Sequence, residues 1–174
     1  LYLDIETIPT NREDVRQFIA ATVSHPANIS KPETIAKWEA ESKPTAIEEA
    51  IDKTGLDGAF GRVCVIGWAV DDADVSTVHS DEDERQVLRA FAQAIDMPHH
   101  HARDVCVVGH NIQSFDIRFL MQRYIVNGIQ PPIILRLAAK SKPWDGAVFD
   151  TMTQWNPDRD KRVGLEKLCL ALGV

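Results

Sequence analysis

The chain opens on an alternation of apolar and polar positions. In Leu1-Tyr2-Leu3-Asp4-Ile5 every second residue is apolar, which predicts a short strand running into Asp4-Ile5-Glu6-Thr7. The pattern then changes to helical spacing from roughly 10 to 56. Thr10-Asn11-Arg12-Glu13 has the form of a capping box ahead of Val15, Phe18 and Ile19, and Ser30-Lys31-Pro32-Glu33 repeats it ahead of Ile35 and Trp38. A third piece carries Ile47, Ala50 and Ile51, with Gly55 as its expected stop. This stretch is read as a helical insertion after the first strand, inside one domain spanning 1–174.

Apolar character returns at 62–70 (RVCVIGWAV), a predicted central strand. An acidic turn (Asp71, Asp72, Asp74) and the shorter strand VSTVH make it a hairpin. Ser80-Asp81-Glu82-Asp83 is the expected start of a helix with Val87, Leu88, Phe91, Ala92 and Ile95 on one face, ended by Pro98. A strand over 104–109 and a helix from Ser114 to Asn127 follow, then a loop, a weaker strand VFDTM and a closing amphipathic helix through Leu165, Leu168, Cys169 and Leu172. This order is α/β, suited to a mixed sheet flanked by helices.

Bulk properties narrow the classes. With 174 residues, 44% of them hydrophobic and 26% charged, the chain can bury a core without disulfides or a structural metal. Three cysteines without a C-x-x-C pair predict reduced thiols in a cytoplasmic protein. No run is long enough to span a membrane and no signal peptide is visible. A net charge of −7 argues against a protein that coats duplexes nonspecifically. A nuclease cleft that takes its positive charge from metal ions is compatible with it.

Two polar clusters carry candidate chemistry. Asp4 and Glu6, two apart on a strand, share one face while Leu3 and Ile5 enter the other. Like charges so close repel, and a hard divalent cation between them would relieve that. The bland alternative is a strand end whose acids face water. The second cluster, Gly109-His110-Asn111-Ile112-Gln113-Ser114-Phe115-Asp116, lies where a strand hands over to a helix, a usual place for a site in α/β folds. The helix dipole alone would favour Asp116 in a first turn, and Asn111 could simply cap the helix.

Leu3-Asp4-Ile5-Glu6-Thr7 resembles the D-x-E-T motif of the DEDD (DnaQ-like) superfamily of 3′–5′ exonucleases, and Asn111 through Phe115-Asp116 resembles its N-x-x-x-F-D motif. Phe149-Asp150-Thr151-Met152 and Val163-Gly164-Leu165-Glu166-Lys167-Leu168 are similar to the segment before the third motif. DIETIP, the helical insertion and FGRVCVIGWA look most like predicted exonucleases related to the proofreading domain of family-B DNA polymerases. The resemblance covers nearly the whole chain and implies a ribonuclease H-like fold. It implies two Mg²⁺ or Mn²⁺ ions held by Asp4, Glu6 and Asp116, which would also be the catalytic residues. Thr7, Asn111 and Phe115 would contact a single-stranded nucleic-acid 3′ end, DNA favoured and RNA open. His110 and Asp150 would stand behind the ligands, Asp150 also being readable as a plain strand-end carboxylate. The third motif, a Tyr or His and a final Asp, would fall past Val174, and Leu1 follows no Met, so the domain is expected to be truncated at both ends.

Arg136, Lys140 and Lys142 beside Trp144, and Arg159, Lys161 and Arg162, could track a strand; solvated loops are the simpler reading of both. His99, His100 and His101 are read as a polar loop, because consecutive residues rarely converge on one ion. Two rivals remain: a non-catalytic nucleic-acid-binding module on the same fold, and a haloacid dehalogenase-type phosphatase. Against the second, the second acid is Glu6 where that class has Asp, and no strand-end Asp pair appears later.

Overall fold

The computed structural model of the chain describes residues 1–142, 144–157 and 162–174, with the backbone alone at His99. Two compact units emerge: Leu1–Glu6 with Val63–Val174, and Thr7–Arg62.

The first unit is built on a five-stranded sheet in the order β3-β2-β1-β4-β5. The strands are β1 (Tyr2–Ile8), β2 (Arg62–Ala69), β3 (Ser76–His79), β4 (Val107–Gly109) and β5 (Val148–Asp150). β2 and β3 are antiparallel, with Val65 opposite His79 and Trp68 opposite Ser76. β1 and β4 are parallel, as are β4 and β5. The sheet is therefore mixed. β1 is the middle strand, and its alternation is as expected: Leu3 and Ile5 are buried while Tyr2, Asp4 and Glu6 are exposed.

Helices α4 (Glu84–Ala94) and α6 (Asp116–Val126) supply much of the core. Val87, Leu88 and Phe91 of α4 pack with Ile117, Phe119, Leu120 and Tyr124 of α6 and with Leu3, Ile5, Val63 and Ile66 of the sheet. Each large apolar side chain buried in this way contributes about 1.5–3 kcal/mol. The Tyr124 hydroxyl keeps a partner by donating to the Leu88 carbonyl (2.9 Å). One charged group is drawn into this layer. Glu84 accepts from the Val63 amide (2.8 Å), from Arg123 Nε and Nη2 (2.8 and 2.7 Å) and from Asn127 Nδ2 (2.8 Å). A fork of this kind satisfies a buried carboxylate that would otherwise be costly.

Several local expectations are corrected. The helix expected at Ser80 starts at Glu84, because the Asp83 carboxylate caps it by accepting from the Gln86 amide (3.0 Å); it ends at Ala94, ahead of Pro98. The stretch 104–109 pairs only over Val107–Gly109. VFDTM is not one strand. Asp150 accepts from the Met152 and Thr153 amides and turns the chain into the short helix α8 (Thr151–Trp155). The polar loop expected at the histidines is a short helix, α5 (His99–Ala102), anchored by buried Ala102. Arg136 likewise sits in a helix, α7 (Ile133–Ala138), whose Ile134, Leu135 and Ala138 are buried. The last element is α9 (Leu165–Leu172). Arg159 and Lys161 lie outside the described residues. All three cysteines are free thiols, Cys64 buried and the others half-buried. No helix among the described residues is long and apolar enough to cross a membrane.

The second unit holds helices α1 (Glu13–Thr22), α2 (Pro32–Glu41) and α3 (Lys43–Asp52) around a small core of Val15, Ile19 and Ile51. Neither expected capping box forms: α1 and α2 begin after Arg12 and Lys31 without a side-chain cap. Thr10 instead accepts from the Arg12 amide (3.2 Å), and α2 starts on Pro32, whose fixed φ suits a first helical position. Phe18 is exposed, and Gly55 lies in a single 3₁₀ turn after α3 and does not stop it.

Candidate active site

The first element of the site is the exposed face of β1. Its geometry follows from the period of two: Asp4 and Glu6 project from the side opposite Leu3 and Ile5. Asp4 lines a trough of about 480 Å³, with Gly67, Trp68, His110, Thr151 and Leu165 among its other walls.

The second element is the loop between β4 and α6. Gly109 can be nothing larger, because a Cβ there would meet the Leu3 carbonyl oxygen at 2.8 Å and Ile112 Cδ1 at 2.6 Å. Asn111 has φ +59°, a left-handed conformation that Asn tolerates better than most residues. Asp150 holds this turn: its carboxylate accepts from the Asn111 amide (2.9 Å) and the Gln113 amide (3.2 Å) besides the two amides of α8. The His110 ring bridges Thr151 Oγ1 (2.9 Å) and the Val163 carbonyl (2.7 Å), and the Thr151 hydroxyl donates to the Gly109 carbonyl (3.2 Å). Asn111 is therefore not the helix cap; that position belongs to Phe115, whose ring packs on Phe119 at 5.5 Å.

The loop delivers Asp116 to β1. Asp116 opens α6, is buried, and accepts from the Ile5 amide through Oδ1 (3.2 Å). That amide is joined directly to the Asp4 carbonyl, so the Asp116 oxygen lies within about 6 Å of the Asp4 Cα. Residues 111 positions apart thus meet at the strand segment that carries Asp4 and Glu6. Burial, and after it the negative charges of Asp4 and Asp150, push the Asp116 carboxyl up to about 7, against the pull of its own backbone amide and of the Ile5 amide. Among the described residues, no group of three His, Cys, Asp or Glu side chains is close enough to hold an ion. Thr7 falls in the second unit, where its hydroxyl donates to the Gly55 carbonyl (2.6 Å). What the sequence did not reveal is the reach of Asp150 across to Asn111 and Gln113; only its place before a helix hinted at an acceptor.

The raised carboxyl has a consequence for stability. An acid bound more tightly to its proton in the folded state than at its ordinary 3.8 favours folding fully below that value, and the advantage disappears as pH rises through about 7. Metal-free protein should lose stability between these two pH values. Asp116→Asn, which keeps an oxygen for the Ile5 amide, should lose less and exceed the wild type by a few kcal/mol above neutrality. Thermal unfolding in EDTA as a function of pH measures the difference.

Compared with known proteins, the chain matches no family model, no curated protein and no solved structure.

Proposed function

We propose that this chain is a 3′–5′ exonuclease domain with a ribonuclease H-like fold, hydrolysing phosphodiester bonds at single-stranded nucleic-acid 3′ ends in the cytoplasm. The supporting observation is the hydrogen bond from the Ile5 amide to Asp116, which sets a buried acid beside the strand segment carrying two exposed ones. An acid forced to keep its proton near neutrality by burial and by its acidic neighbours is one that a cation would stabilise in ionised form.

The donor chemistry fits Mg²⁺ or Mn²⁺, which prefer carboxylate oxygens. Asp4, Glu6 and Asp116 would hold the ions, and binding requires the three carboxylates to approach one another. Bound there, such ions would supply an activated water and stabilise the leaving 3′ oxygen. The chain's own residues do the rest. Asn111, whose backbone amide is held by Asp150, and the half-buried Phe115 would contact the strand. Asp150 and His110 fix the loop and are not ligands.

Digestion of 5′-labelled and 3′-labelled DNA and RNA oligonucleotides with Mg²⁺ or Mn²⁺ tests this. Stepwise shortening from the 3′ end, abolished by EDTA, is expected. Binding of oligonucleotides with no metal-dependent cleavage would favour the non-catalytic module.

A further inference from the structure

In a chain of net charge −7, residues 117–144 contain no acid, and besides Arg123, which is buried against Glu84, they carry Arg118, Arg136, Lys140 and Lys142. Within this stretch the turn after α7 keeps Lys140 and Lys142 in solvent, as expected from sequence. It is ordered by backbone bonds, Lys140 N to Leu137 O and Ser141 N to Ala138 O (both 3.1 Å). Asp145 closes its far side, accepting from the Lys142 amide (2.8 Å), so the next acid along the chain is engaged by backbone. Trp144 stands 76% exposed, with Lys142 Nζ 5.6 Å from its ring centroid. An indole this open offers a flat face on which a base can stack.

This turn is moored to the candidate site. Gln113 Nε2 donates to the Ser141 carbonyl (3.2 Å), and the Gln113 amide is held by Asp150 in the loop that ends at Asp116. We propose that Lys140, Lys142 and Trp144 form a platform for the single strand upstream of the 3′ end. Trp144 stacks on a base and the lysines contact phosphates, an arrangement that binds without reading sequence. This rests on the reading of the site as one for nucleic-acid 3′ ends, and it adds where the rest of the strand lies.

The test is binding in EDTA, where no hydrolysis occurs. Fluorescence anisotropy would follow 5′-labelled oligothymidylate and oligouridylate of about 15 nucleotides, long enough to pass beyond the cleavage site. Trp144→Ala should weaken binding about tenfold, the loss of one base stack, and Trp144→Phe should restore most of it. Lys140→Ala with Lys142→Ala should flatten the salt dependence, lowering the slope of log affinity against log salt by about 1.4. Lys37→Ala, a change of an exposed lysine on α2, should leave affinity unchanged. Since Trp144, Lys140 and Lys142 are exposed, thermal unfolding of the variants should match the wild type. Equal affinities for wild type and Trp144→Ala, or no binding by the wild type, would overturn the platform. Loss of binding in these variants alongside an inactive wild type would uphold the platform and count against the exonuclease alone.

Discussion

Asp4→Ala is expected to reduce metal-dependent release of mononucleotides from a 3′ end by about a thousandfold or more. The reasoning is electrostatic. Asp4 shares the exposed face of β1 with Glu6, and its charge raises the proton affinity of Asp116. A metal that polarises a phosphoryl oxygen is worth several kcal/mol, and each 1.4 kcal/mol is about tenfold in rate. Removing a carboxylate that holds the metal should cost most of that. Because Asp4 is exposed, its loss should scarcely change stability, so unfolding temperature and activity will separate. Asp4→Asn, which keeps one oxygen and loses the charge, should be nearly as inactive. Activity retained in either variant would remove Asp4 from the reaction.

The largest effect on folding is expected at Arg123→Met. This guanidinium donates through both Nε and Nη2 to Glu84, and both groups are buried. Methionine fills similar space but leaves the carboxylate without this counter-charge. Breaking one side of such a pair costs about 3–5 kcal/mol. For a chain of this size that lowers the unfolding temperature by about 10 °C. Adding Glu84→Gln should return part of the loss, since the amide oxygen can still accept from the Val63 amide and no buried charge remains at that position. A double-mutant cycle by calorimetry reads that coupling. Strictly additive losses would mean that the fork does not act as a pair.

The sequence made some of this plain and hid the rest for physical reasons. Alternation in β1 was legible because a strand with one buried face must alternate, and the period of two by itself puts Asp4 and Glu6 on the same side. The helices α4 and α6 were legible as apolar stripes, though their starts were not. Asp83 competes with Ser80 for the cap, and which wins depends on the fold. VFDTM looked like a strand because Val, Phe and Thr favour strands. Asp150 overrides that preference by gathering four backbone amides from two segments, a tertiary arrangement that leaves no local pattern. Nothing in the local pattern singles out Glu84, because its partner Arg123 stands 39 residues away. Asp116 is the instructive case. Resemblance of motifs suggested that it joins Asp4 and Glu6, but periodicity alone gave only a helix-start acid, and the Ile5 hydrogen bond is a long-range fact.

Direct measurement of divalent-ion binding bears most closely on the claim that these three acids share cations. Mn²⁺ titration followed by electron paramagnetic resonance should show binding to the wild-type protein, with the bound signal sharply reduced in Asp4→Ala and in Asp116→Asn and unchanged in Asp145→Asn. Equal Mn²⁺ binding by the wild type and both site variants would contradict the account.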